Sequence, residues 1–84
     1  MKTAERPLAT SEQIRAYIRR IAEAFQPEQI MLFGSYAYGV PHADSDVNLL
    51  IIMSFDGDST HKAAEIRHQV RAPFPVDLLV RTPT

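Results

Sequence analysis

Seven consecutive residues, Val47-Asn48-Leu49-Leu50-Ile51-Ile52-Met53, are apolar at every position except 48. Polar, turn-forming segments close them off on both sides: Val40-Pro41-His42-Ala43-Asp44-Ser45 before, and Ser54-Phe55-Asp56-Gly57-Asp58-Ser59-Thr60 after. A short Leu- and Ile-rich run bounded in this way reads as a β-strand over Asp46 to Met53. Side chains alternate between the two faces of a strand, so beyond position 48 both faces are apolar. Such a strand is expected to be covered on both sides and to lie at the centre of its sheet.

The rest of the chain supplies partners for that strand. Gln29 to Phe33 is short, apolar and stopped by Gly34, as expected of a buried strand, and Val76 to Val80 forms another after Pro73 and Pro75. Between them the pattern is helical. Thr10 can cap a helix with Gln13 three residues on, and Ile14, Tyr17, Ile18, Ile21, Ala22 and Phe25 follow at helical spacing up to Pro27. A brief helical turn over Tyr36 to Tyr38 is closed by Gly39, and Ser59 or Thr60 can cap a third helix running to about Arg71, with Ala63, Ile66 and Val70 on one side. The order is helix, strand, turn, strand, helix, strand: an α/β pattern without repeats.

At 84 residues the chain is expected to form one domain over 1–84, with residues 1–9 an extended or frayed lead-in. It has no cysteine, which excludes disulfides and thiolate metal sites and suits a reducing cytoplasm. The longest apolar run, Leu49 to Met53, is far too short to span a bilayer, and the N-terminus has no signal-peptide core. A soluble, cytoplasmic protein is the expectation. Net charge is −1 with no basic run, so a nucleic-acid duplex is not an indicated partner.

Two residues apart on a strand, Asp46 and Asn48 share one face. Asp77 interrupts the apolar Pro75-Val76-Asp77-Leu78-Leu79-Val80, where a buried charge is costly unless paired or bound to metal. If the two strands are neighbours, Asp46, Asn48 and Asp77 converge into an oxygen cluster of the hard type that Mg²⁺ prefers. Gly34 and Ser35, at the end of the first strand, can offer backbone N–H groups and a hydroxyl to phosphate. Each part has a plainer meaning: Asp46 as a solubilising loop-end charge, Gly34-Ser35 as a tight turn capping a short helix. His42 lies in a loop and His61 and His68 lie seven residues apart on one helix, a spacing that suits surface histidines better than a zinc pair. Arg67 and Arg71 read as a solvated basic face.

Taken together, Gly34-Ser35, ten intervening residues, Asp46-Val47-Asn48 at a strand start and the later Val76-Asp77-Leu78-Leu79-Val80 resemble the minimal nucleotidyltransferases of the DNA polymerase β superfamily, over Ile30 to Val80. The family pattern is Gly-Ser, ten residues, Asp-x-Asp, and a third Asp on an adjacent strand. The resemblance implies a nucleotidyltransferase fold, a small mixed sheet of about three strands in the order 1-2-3 flanked by helices. It implies Gly34 and Ser35 as the phosphate-binding pair, and Asp46, Asn48 and Asp77 as the catalytic, metal-holding positions with Asp77 the candidate base. It further implies a nucleoside triphosphate as substrate, two Mg²⁺ ions, and transfer of a nucleoside monophosphate, AMP from ATP, to an acceptor hydroxyl. Relatives of this size are often paired with a helical toxin-like protein, which is therefore an implied partner.

The departures bear on activity. Position 48 holds Asn where the family has the Asp that touches both metals, and Tyr36 and Tyr38 stand where many members carry arginine. Relatives usually add a further helix after the last strand, whereas this sequence stops at Thr84. The readings are an enzyme weakened at one metal ligand, or an inactive module that binds a nucleotide or a protein partner. A metal-dependent glycosyltransferase with its own Asp-x-Asp would need a much larger sheet.

Overall fold

The computed structural model describes residues 8–42 and 44–83. The lead-in expected over 1–9 therefore falls mostly outside the described residues; of its last two, Ala9 donates its backbone N–H to the Tyr36 hydroxyl at 3.0 Å. Six elements follow in order: α1 (Ser11–Phe25), β1 (Gln29–Phe33), α2 (Ser35–Tyr38), β2 (Val47–Ile52), α3 (Ser59–Gln69) and β3 (Val76–Arg81). The sheet order is β1-β2-β3, with β1 antiparallel and β3 parallel to β2. The apolar run at 47–53 is thus the central strand, as its composition requires.

Local chemistry sets the helix ends. The Thr10 hydroxyl accepts from the Gln13 amide at 3.0 Å and the Gln13 side chain accepts from the Thr10 amide at 2.9 Å, a reciprocal cap that satisfies otherwise orphaned donors. At its other end α1 stops on Gln26, which takes a left-handed conformation (φ 50°) just before Pro27. α3 begins one residue earlier than its sequence suggests, because the Asp58 carboxylate accepts from the Thr60 amide at 3.1 Å, so Asp58 is the cap rather than Ser59 or Thr60.

Both long helices cover the same sheet face. Val47, Leu49 and Ile51 of β2, with Leu78 and Val80 of β3, pack beneath Ile14, Tyr17 and Ile21 of α1 and Ala63 and Ile66 of α3. Covering of both faces does not occur: Asn48, Leu50 and Ile52, on the other side of β2, are only half-buried, and beside them Met31 and Leu79 are 40% and 41% exposed. Among the described residues no element lies over this second face. Asp77 accordingly bears no burial cost, contrary to the expectation for its apolar segment, since β3 is an edge strand and Asp77 is exposed. Among the described residues its charge has no salt-bridge partner.

Within the core, Tyr17 is 1% exposed and meets Phe74 edge to face, ring centroids 5.5 Å apart at 83°. Its hydroxyl has no hydrogen-bond partner among the described residues. Burial pushes the phenol pKa above its usual 10.0, against the opposing positive charges of Arg67 and Arg20. A phenol that titrates higher when folded than when unfolded contributes stability below about pH 10 and loses it as pH rises further. Tyr17→Phe should therefore be neutral at neutral pH, or stabilising by about 1 kcal/mol, because it deletes an unsatisfied polar atom. The variant should also gain on the parent protein above about pH 10. Urea denaturation of both proteins at neutral pH and near pH 11 checks this; a clear destabilisation of Tyr17→Phe at neutral pH would mean that the hydroxyl is bonded after all.

Candidate active site

The register across the sheet decides which polar groups meet. Phe33 pairs with Asn48 and Asn48 with Asp77, so these three share one row on the open face, with neighbouring strands about 4.8 Å apart. Asp46 lies one residue before β2, exposed, and its carbonyl accepts a long 3.4 Å bond from the Asn48 side-chain nitrogen. The two carboxylates and the amide thus collect at the end of the sheet where β2 and β3 both begin. No Lys or Arg forms a salt bridge with Asp46 or Asp77 among the described residues, which leaves two uncompensated carboxylates facing solvent.

At this same end β1 finishes and the chain turns through Gly34. Its backbone (φ 82°, ψ −160°) is one that essentially only glycine adopts, and a Cβ there would stand 2.5 Å from the Asn48 side-chain nitrogen. Gly34 and Asn48 are therefore packed against each other. The turn continues into α2, where Ala37 and Tyr38 donate to the Gly34 carbonyl at 3.0 and 3.2 Å. Those bonds leave the amides of Ser35 and Tyr36 without partners inside the turn. Tyr36 is half-buried and held through its hydroxyl, whereas Tyr38 is 80% exposed and packs little.

Ser45 escaped the sequence reading. Its hydroxyl lies 3.0 Å from the Ser35 hydroxyl and accepts the His42 amide at 2.9 Å, while the Ser45 amide donates to the His42 carbonyl at 2.8 Å. Asp44 also donates its amide to His42 Nδ1 at 3.3 Å. The bonds among His42, Asp44 and Ser45 thus tie the Gly34-Ser35 segment to the start of β2. Proximity to Asp46 in sequence was the available signal, but serines in polar loops are common and only the fold brings residue 45 back to residue 35. His42, His61 and His68 are all exposed, the last two on α3, away from this row.

The arrangement has the parts that phosphoryl chemistry uses: a glycine turn with free amides, a hydroxyl, and hard oxygen donors on adjacent strands. Comparison with known proteins agrees at the level of family and fold. The sequence pattern of the nucleotidyltransferase domain matches residues 13–84. No curated protein matches the sequence. Among solved structures, a candidate nucleotidyltransferase from Sulfolobus solfataricus is similar with a TM-score of 0.65 and 20% identity over 86% of this chain. The present chain spans 66% of that protein's length, and at this identity the likeness establishes the fold. With the family pattern extending through all six elements bar the first two residues of α1, the chain belongs to the nucleotidyltransferase domain family.

Proposed function

We propose that this domain transfers a nucleoside monophosphate, AMP from ATP, to an acceptor hydroxyl, and that Asn48 makes it slow. The observation that carries the proposal is the row Phe33-Asn48-Asp77 set beside the Gly34-Ser35 turn, within a family whose reaction uses a nucleoside triphosphate. The free amides and hydroxyl of the turn would hold the triphosphate, and Ser45 would hold the Ser35 hydroxyl in place. Asp77 would take the acceptor proton as the acceptor oxygen bonds to the α-phosphorus. The bond from that phosphorus to the bridging oxygen breaks, and pyrophosphate leaves with its electron pair.

The donor set fits Mg²⁺ in kind. Asp46 and Asp77 offer charged oxygens, and with the Asn48 nitrogen turned to the Asp46 carbonyl, the amide oxygen is the end left to a cation. Bound metal would supply neutralisation of the triphosphate and polarisation of its α-phosphorus. One neutral amide oxygen is a poor bridge between two cations, so the set suits one ion better than two. The long bond from Asn48 to the Asp46 carbonyl and its packing against Gly34 favour a second reading, in which position 48 serves the fold and the domain binds nucleotide, or a helical toxin-like partner in the cytoplasm, without turnover.

Asn48→Asp separates the two. With ATP, Mg²⁺ and an acceptor, pyrophosphate release should rise about a thousandfold in the variant, roughly 4 kcal/mol of transition-state stabilisation. Mg²⁺ should also raise the melting temperature of Asn48→Asp more than that of the parent chain, because three carboxylates repel until a cation binds. Equal rates and equal Mg²⁺ responses would support the binding reading. Gly34→Ala should cost about 1–3 kcal/mol in chemical denaturation and abolish triphosphate binding, through backbone strain and displacement of Asn48. Gly39→Ala, also at positive φ (79°) but with nothing within 4 Å of an added Cβ, should lose stability yet keep binding in the same titration.

A further inference from the structure

At the far end of α3 two arginines and a histidine line one groove and a third arginine reaches the same segment, without an acidic partner among the described residues. The Arg20 guanidinium donates to the Arg71 carbonyl at 2.9 Å, pinning α1 against the segment that follows α3. Arg67, His68 and Arg71 line an open groove of about 440 Å³ whose floor is Phe74 and Val76. Among the described residues the one salt bridge is Lys62 to Glu65, so no described carboxylate neutralises these arginines.

Basic residues in the last turn of a helix ordinarily complement its dipole, and Arg67 and His68 sit there. That accounts for one positive charge, about half of which the dipole balances. It does not account for a second guanidinium at Arg71 and a third brought from α1. Like charges held together without counter-charges favour an anion between them.

The groove has a position relative to the candidate active site. Its floor residue Val76 immediately precedes Asp77, and Arg67 lines a second groove as well, one that runs along the free edge of β3 from Asp77 to Arg81. Arg67 therefore stands at the junction between the basic groove and the strand that carries the candidate base. We propose that this groove is an anion site for a phosphate monoester, and that the acceptor of the transfer reaction carries that group. Several guanidinium forks exceed what one carboxylate can satisfy, whereas a phosphate monoester brings nearly two charges and three acceptor oxygens. The acceptor assignment rests on the proposed transfer reaction; anion binding in the groove does not.

The test uses the full chain in EDTA without triphosphate, so that it is independent of turnover. Inorganic phosphate, a 5′-phosphorylated dinucleotide and its 5′-hydroxyl counterpart are titrated, following backbone amide signals by NMR. Phosphate and the phosphorylated dinucleotide should shift the amides of Arg67, His68 and Arg71, and the 5′-hydroxyl form should bind more weakly. Arg67→Gln and Arg71→Gln should each weaken binding about tenfold. Arg15→Gln and Asp77→Asn should not weaken it, and circular dichroism confirms that each variant is folded. A dinucleotide preferred over inorganic phosphate marks a nucleic-acid end as the source of the group; equal affinities mark a small phosphorylated molecule. Shifts confined to Gly34 and Ser35, unchanged affinity in the Arg67→Gln/Arg71→Gln double variant, or equal binding of an acidic peptide without phosphate would overturn the proposal. Loss of phosphate binding alone leaves Mg²⁺-dependent pyrophosphate release by Asn48→Asp standing, and the converse holds too.

Discussion

The burial of Val47, Leu49 and Ile51 under two helices is the constraint from which the rest follows. Alternation along β2 means that committing these three residues to the core commits Asn48, Leu50 and Ile52 to the opposite face. Pairing then extends the commitment to both neighbours, which puts Phe33 and Asp77 beside Asn48. A one-residue slip of β2 would bury the amide and expose the core. The position of the polar row is thus secured by apolar burial one residue away, without any bond between its members having to hold it.

Crossover geometry explains why the row and the basic groove lie at the same end of the molecule. β2 and β3 are parallel, so α3 must carry the chain back from the end of β2 to the beginning of β3. The last turn of α3 and the segment through Phe74 and Pro75 therefore arrive where Asp77 starts, and Val47 donates to the Pro75 carbonyl at 3.0 Å. The topology itself thus delivers Arg67 and Arg71 to the end of the sheet that carries Asp77, on its helix-covered side.

Much of this architecture was legible in the residues. The reciprocal cap of Thr10 and Gln13, the stop at Gly34 and the central strand all follow from local chemistry, and they appear where that chemistry puts them. Family and fold were legible because the Gly-Ser spacing and the strand pattern together are far more specific than either half. The covering of β2 on both sides was misjudged, since an apolar face signals only that water is unfavourable there and not which element excludes it. Convergence of Arg20 with Arg67 and Arg71 was illegible, because residues about fifty positions apart meet only after α1 and α3 have docked. Ser45 was missed because only the fold brings that loop serine back to Ser35.

The uncovered face has a consequence for how the protein behaves in solution. Met31 and Phe33 on β1 and Leu79 on β3 expose large apolar side chains on one face of the sheet, and both strands are its edges. A net charge of −1 provides little long-range repulsion between molecules. With so little charge for salt to screen, encounters between such faces depend on protein concentration far more than on ionic strength.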